Sequence, residues 1–216
     1  MVDFLKVISS RHCTRAFHKN KQIDDQAIER ILHAASNAPS SQNNQPWRCM
    51  VLSGSSRNNL SASLLAAFDE DERKTPDYKN RAEKLSEEQK RGIDEYGKFH
   101  YSALDREDLK GRKMLYRRNY EFYDAPTVII LSTFEGAVEG TFLDLGCFLQ
   151  NILLGCAAMG LGAIPQFSVA SYSHVIKKEI SALQEQLIVC AISVGWPLEQ
   201  ETSGPLRNLD FIQWKK

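Results

Sequence analysis

The sequence predicts a layered α+β domain with a small sheet. Two uncharged apolar runs, Val128–Phe134 and Leu187–Val194, have the length of fully buried strands. Other stretches carry apolar residues at helical spacing, most clearly Ile28, Ile31, Leu32 and Ala35. The resulting order of helix, helix, strand, helices, strand, helix, helix, strand fits helices packed on a small sheet.

Asp3–Ile8 reads as a first helix and Asp24–Ala35 as a second, with Asp24 as its N-cap. Between them lies RHCTRAFHKNKQ. Ser36–Gln45 has neither charge nor periodicity, only Ser, Asn, Gln, Ala and Pro39, and reads as a loop rich in hydrogen-bonding groups. Cys49–Leu52 is a short strand, and Leu60, Leu64, Leu65 and Phe68 mark a third helix. Asp69–Glu121 holds 14 acidic and 14 basic residues, a balance that suggests solvated helices. After Ala125-Pro126 comes the first buried strand, then a long helix from about Thr141 to Met159, stopped by Gly160 and Gly162. A short helix near Ser173–Ile180 precedes the last strand, which Gly195-Trp196-Pro197 closes.

With 27 basic and 27 acidic side chains the net charge is zero, so no electrostatic argument favours nucleic acid or an anionic membrane. At 24.5 kDa the chain can bury roughly 70% of its surface, enough for one core and one domain over residues 1–216. Cys13, Cys49, Cys147, Cys156 and Cys190 are odd in number, lack Cys-x-x-Cys spacing and mostly adjoin apolar residues; they read as reduced, buried thiols. Asp3, Lys6 and Arg11 interrupt any signal-peptide core, which points to the cytoplasm. Leu145–Ile164 has the length of a membrane span, but Gln150, Asn151 and the breaks at Gly155, Gly160 and Gly162 favour a helix buried in the fold or in a dimer seam.

Metalloprotease, zinc, P-loop and α/β-hydrolase motifs are absent, and Gly160-Leu161-Gly162 follows a helix where a dinucleotide turn needs a strand. His12, His18, His33, His100 and His174 show no ligand spacing. An enzyme with this inventory takes its reactive atom from a cofactor. Arg11 and Arg15 can project toward one anion, and a guanidinium fork suits a phosphate. The loop Pro39-Ser40-Ser41-Gln42-Asn43-Asn44-Gln45-Pro46-Trp47 offers hydroxyls and amides for a polyol and a heterocycle edge. Taken singly, an arginine pair is more often a surface feature and such a loop only a loop.

Arg11-His12-Cys13-Thr14-Arg15-Ala16-Phe17 resembles the R-x-S-x-R-x-F opening of the nitroreductase family, and Ala38–Trp47 resembles its A-P-S-x-x-N-x-Q-P-W loop. Tyr123-Asp124-Ala125-Pro126, Leu149-Gln150-Asn151, Gly160-Leu161-Gly162 before Pro165-Gln166, and Gly195-Trp196-Pro197 follow in family order, closest to the nitrobenzoate-reductase-like branch. The resemblance implies a small mixed or antiparallel sheet surrounded by helices, in a domain-exchanged homodimer with FMN at the subunit interface. It makes the apolar helix Thr141–Met159 a dimer seam and the segment at about 69–121 a helical lid.

Carried over by position, Arg11 and Arg207 contact the FMN phosphate and Arg15 reaches the N1/O2 edge of the ring. His12, Cys13, Pro39, Ser40, Ser41, Asn43 and Gln45 line the cofactor, and Pro165, Gln166 and Phe167 lie near the ring, with the Phe167 backbone N–H toward N5. No side chain acts as acid or base. NADH or NADPH delivers hydride and leaves before a flat, electron-poor acceptor, a nitroaromatic or quinone, takes its place. Tyr116, Tyr120, Phe122 and Tyr123 are candidates to sandwich that acceptor, although aromatics at helical spacing are core more often than substrate contacts. Two departures stand out: Cys13 replaces the family serine, weakening one contact by about 1 kcal/mol, and Pro205 stands where some members carry a second cation. Alternative readings are a flavin reductase or reductive dehalogenase on the same fold, a non-catalytic FMN-binding protein, and a nucleic-acid patch at Arg112, Lys113, Arg117 and Arg118. The acidic neighbours of those four favour a solvated helix face over the last reading.

Overall fold

A computed structural model describes residues 3–105 and 107–198. Helix α1 (Phe4–Ser10) is capped by the Asp3 carboxylate, which accepts from the N–H groups of Leu5 and Lys6. Helix α2 (Asp25–Ala35) is capped by Asp24 as predicted and buries Ile28, Ile31 and Ala35. Strand β1 (Arg48–Ser53) leads into α3 (Gly54–Asp69), whose buried face carries Leu60, Leu64 and Phe68. The charged segment forms α4 (Glu87–His100), opened by a Ser86/Gln89 capping box, and α5 (Leu109–Arg117). There follow β2 (Thr127–Phe134), α6 (Glu139–Ala158), β3 (Gly162–Gln166), α7 (Ser173–Glu179) and β4 (Gln186–Gly195).

The strands form one sheet in the order β1-β2-β4-β3, and every ladder is antiparallel. Alternate residues of β2 enter different layers: Ile129 and Leu131 join α2 and α6, whereas Val128 and Ile130 join α3 and α7. Covered on both faces, β2 is uncharged throughout and apolar without interruption from Val128 to Leu131, which is why it is legible in the sequence.

Strand β3 corrects the three-strand expectation. Gly160, at φ +71°, ends α6, but Gly162 opens a strand and does not serve as a second helix stop. Pro165 sits within β3, where the missing N–H is tolerated because β3 is the outer strand. The N-terminal segment lies against that outer edge: Thr14 N–H donates to Ala163 O at 3.2 Å and Cys13 makes a single parallel bridge to Ala163. A Cβ on Gly162 would fall 2.5 Å from Thr14 Oγ1. Gly162→Ala is therefore expected to lower stability by about 1–3 kcal/mol, measured as a fall in the denaturant midpoint.

The expectation of five buried thiols also needs correction. Cys156 and Cys190 are buried, Cys13 and Cys49 half-buried, and Cys147 is exposed on the outer face of α6. Burial pushes the Cys49 and Cys156 thiols up to about 12, so both stay protonated.

Candidate functional site

The segment 11–17 touches β3 at Cys13 and Thr14, through Ala163, and then turns to Pro197, which Phe17 bridges. Thr14 points inward and is buried at Gly162, while Arg11, Cys13 and Arg15 are half-buried. The two arginines both contact Cys13, Arg11 at its sulfur and Arg15 at its carbonyl oxygen. Among the described residues Arg11 makes no ion pair; its guanidinium contacts Cys13 Sγ at 4.0 Å. Arg15 donates to Cys13 O at 3.3 Å and to the Tyr96 hydroxyl at 3.0 Å. His100 stacks on Tyr96, with ring centroids 5.4 Å apart. Burial, aided by Arg15, lowers the His100 pKa and favours a neutral imidazole.

The loop before β1 is held in an unusual conformation. Gln42, Asn43 and Gln45 all have left-handed backbones, with φ of 51°, 56° and 46°. Strain of this kind gathers at functional sites. The Ser40 hydroxyl accepts from Gln45 N–H at 3.0 Å, and the Gln45 amide donates to Asn43 Oδ1 at 3.0 Å, so these side chains brace the loop. A hydroxyl that accepts retains its own proton to donate. Asp144 of α6 receives Ser41 N–H at 3.1 Å, Thr133 donates to Pro46 O at 2.9 Å, and Trp47 stacks on Phe148 at 4.7 Å.

A cavity of about 690 Å³ opens beside the end of β3. Phe167, Leu131 and Val189 form its sheet side, Phe142, Leu145 and Leu149 its helical side, and Tyr78, Lys79 and Asn80 its rim. Its size suits a planar ligand. The segment carrying Tyr78 is fixed where β3 stops: Asp77 accepts from Ile188 N–H at 2.8 Å and the Tyr78 hydroxyl donates to Val189 O at 2.8 Å. Lys177 pairs with Asp77 at 3.0 Å. Asp77→Ala is expected to cost about 1–3 kcal/mol by leaving the Ile188 N–H unsatisfied, visible as a lower thermal midpoint. Tyr78, Asn80, Tyr96 and His100 escaped the sequence-based site, because nothing in a balanced charged segment marks which side chains turn inward.

The structure corrects the acceptor-sandwich expectation. Tyr120 and Phe122 are fully buried in the core with α3 and α7, and Tyr116 packs against the same cluster. Phe68 and Tyr172 surround the Tyr120 ring at 4.9 and 5.5 Å. Tyr123 is also buried, packed with Phe17 and Ile164 beside Cys13. The four basic residues of α5 and its end are engaged within the chain: Arg117 with Asp69 and Glu121, Lys113 with Asp71, Arg118 with Asp124, and Arg112 over the Tyr101 ring. Arg207 and Pro205 lie outside the described residues.

The two halves of the expected site are not brought together within one chain. The Pro39–Gln45 loop enters β1 at one edge of the sheet, while Cys13 and Thr14 lie outside β3 at the other, four strand spacings or about 19 Å away. Helix α6 stands between loop and cavity, with Asp144 and Phe148 on the loop flank and Phe142, Gly146 and Leu149 on the cavity flank.

Residues 8–196 match the model of the nitroreductase family. The 4-nitrobenzoate reductase of Pseudomonas putida is 32% identical over 207 residues, 95% of this chain and 90% of that protein. A chloronitrobenzene nitroreductase of Comamonas testosteroni is 30% identical over 196 residues, 88% and 85% of the two chains. Among solved structures, the FMN and NADPH-dependent nitroreductase NfnB from sphigopyxis sp. strain HMH superimposes with a TM-score of 0.94 at 24% identity, covering 100% of both chains. The NfnB of Mycobacterium smegmatis in complex with NADPH gives 0.92 at 22% identity over 98% of this chain and 97% of that one. The shared fold, the paired arginine and Ser/Asn motifs in order, and the family match over nearly the whole length make this chain a member of the nitroreductase family.

Proposed function

We propose that the chain is an FMN-dependent oxidoreductase that takes hydride from NADH or NADPH and reduces nitroaromatics, quinones or similar flat, electron-poor acceptors. It works as a cytoplasmic homodimer with FMN at the subunit interface. The observation that carries this reading is the outer stripe of α6. Leu143 is 74% exposed, Cys147 lies one turn on, and α1 adds exposed Phe4, Leu5 and Ile8. That stripe lies between the loop flank and the cavity flank. A second copy packed on it by a two-fold axis covers the apolar surface and carries its Ser40–Asn43 loop toward the first copy's cavity. It also accounts for the membrane-length apolar character of α6.

The donor set fits FMN. Arg11, whose one side-chain contact among the described residues is the weak one to the Cys13 thiol, is the first candidate for the phosphate, and Arg207 is the second. Ser40, Ser41 and Asn43 of the second copy supply hydroxyl and amide partners for the ribityl chain and ring edge. His12, Pro39, Gln45, Pro165 and Gln166 complete the lining. Bound FMN supplies the acceptor for the nicotinamide hydride and its donor to the second substrate. Arg15 holds a positive charge toward the N1/O2 edge, and the Phe167 N–H is the candidate donor to N5. Tyr78 and Phe142, stacked at 4.8 Å, form the cavity wall against which a flat acceptor packs. Segment 69–121 serves as the lid. We therefore assign the acceptor wall to Tyr78 and Phe142 in place of Tyr116, Tyr120, Phe122 and Tyr123.

The test is NAD(P)H oxidation with a nitroarene, a quinone, free flavin and a halophenol in parallel. Turnover of the nitroarene or quinone above free flavin supports the proposal. Activity confined to free flavin or the halophenol establishes a reductase or dehalogenase instead.

A further inference from the structure

Seven described residues other than glycine have left-handed backbones, and three of them, Phe122, Tyr123 and Asp124, are consecutive at φ 54°, 52° and 67°. A left-handed backbone is strained for residues that carry a Cβ. The turn persists because its surroundings over-determine it. Arg57 donates to Ala125 O at 3.1 Å and also to Glu121 O, Tyr123 N–H reaches Arg118 O at 3.1 Å, and the Phe122 side chain is sealed in the core. The consequence is the placement of Tyr123. It is 4% exposed, and its phenol lies against the Arg15 guanidinium. Burial pushes the Tyr123 pKa up to about 12, so the group is a neutral phenol. From α4, Tyr96 brings its hydroxyl to Arg15 Nη2 at 3.0 Å.

We propose that Tyr123 and Tyr96 are positioning residues, a phenol pair that fixes the Arg15 guanidinium between the left-handed turn and helix α4, so that docking of α4 and orientation of Arg15 are one event. The choice of phenols has a physical reason. A neutral hydroxyl accepts from a guanidinium and so orients it without bringing a charge of its own. The two members differ in mobility. Tyr96 is 43% exposed on a solvated helix and can withdraw without opening the core, while Tyr123 cannot. Tyr123 is the fixed jaw and Tyr96 the movable one. The inference deepens the proposed flavin role of Arg15 and rests on it for its functional consequence.

Two measurements test it on Tyr96→Phe, Tyr123→Phe and Lys90→Ala, the last removing an exposed ion pair to Glu87 on the same helix. In FMN-free protein, Tyr96→Phe is expected to raise amide hydrogen exchange across residues 87–100 about fivefold, as the loss of one hydrogen bond implies, with no comparable rise in Lys90→Ala. Unchanged exchange in Tyr96→Phe, or an equal rise in Lys90→Ala, overturns the clamp. In FMN-loaded protein, each Tyr→Phe change is expected to raise the FMN dissociation constant about fivefold in the parent and by less than twofold once Arg15 is alanine. Equal losses in both backgrounds overturn the coupling. If the parent takes up no FMN, the flavin reading falls alone, and exchange still decides the clamp.

Discussion

Replacing Arg15 by alanine is expected to slow the anaerobic bleaching of bound FMN by NADH or NADPH about 10- to 150-fold, the range that a hydrogen bond to a charged group represents. The effect is electrostatic. With FMN bound as proposed, Arg15 would hold a positive charge beside the N1/O2 edge and would favour the anionic reduced cofactor over the neutral oxidised one. Arg15 is held by Cys13 O and the Tyr96 hydroxyl, so it is in place before the reaction and needs little reorganisation. FMN retention should fall less than the rate, because the proposed contacts of Arg11 and of the second copy's loop are separate from that of Arg15. Arg15→Lys should recover part of the rate by keeping the charge while losing the fork. Stopped-flow absorbance separates these effects, and unchanged bleaching in Arg15→Ala would remove the role assigned to that residue.

Leu143→Glu should abolish dimerisation and with it FMN retention. The side chain is 74% exposed in the single chain, so the substitution leaves the subunit's own core untouched. In a seam it buries two unpaired carboxylates, one per copy, at a cost of several kcal/mol each. Sedimentation is expected to show a monomer at concentrations where the parent is dimeric, with unchanged far-ultraviolet circular dichroism and colourless protein. Leu109→Glu is the control: Leu109 is 75% exposed on α5, away from the stripe, and its substitution should leave both assembly and colour intact. A dimeric, yellow Leu143→Glu protein would contradict the shared site.

The legible parts of the fold were those that local physics determines. The α2 periodicity and its Asp24 cap need no tertiary information, and β2 and β4 declare themselves because both faces are buried. Strand β3 was hidden because it is five residues long, contains Pro165 and continues the apolar run of α6 after only a three-residue turn. Composition revealed the Ser40–Asn43 loop as a hydrogen-bonding surface, but its left-handed backbone at Gln42 and Gln45 has no signature in residue type. Arg11 and Arg15 were legible as a pair, though a spacing of four can arise from a helix or a strand and only the β3 edge decides which. Tyr78 and Tyr96 were illegible, since contacts with Val189 and Arg15, more than 80 residues distant in sequence, give them their positions. The Tyr120 ring went the other way, into the core where aromatics at helical spacing most often belong.

The central claim is that this chain binds FMN and passes nicotinamide hydride through it. The most direct measurement is an absorbance spectrum of the purified protein, before and after NADH or NADPH is added without oxygen. The expected result is a flavin band equivalent to about one FMN per subunit that bleaches on addition of the nucleotide. A colourless protein that added FMN fails to reconstitute would contradict the cofactor site, and a yellow protein that neither nucleotide bleaches would contradict the oxidoreductase and leave an FMN-binding protein.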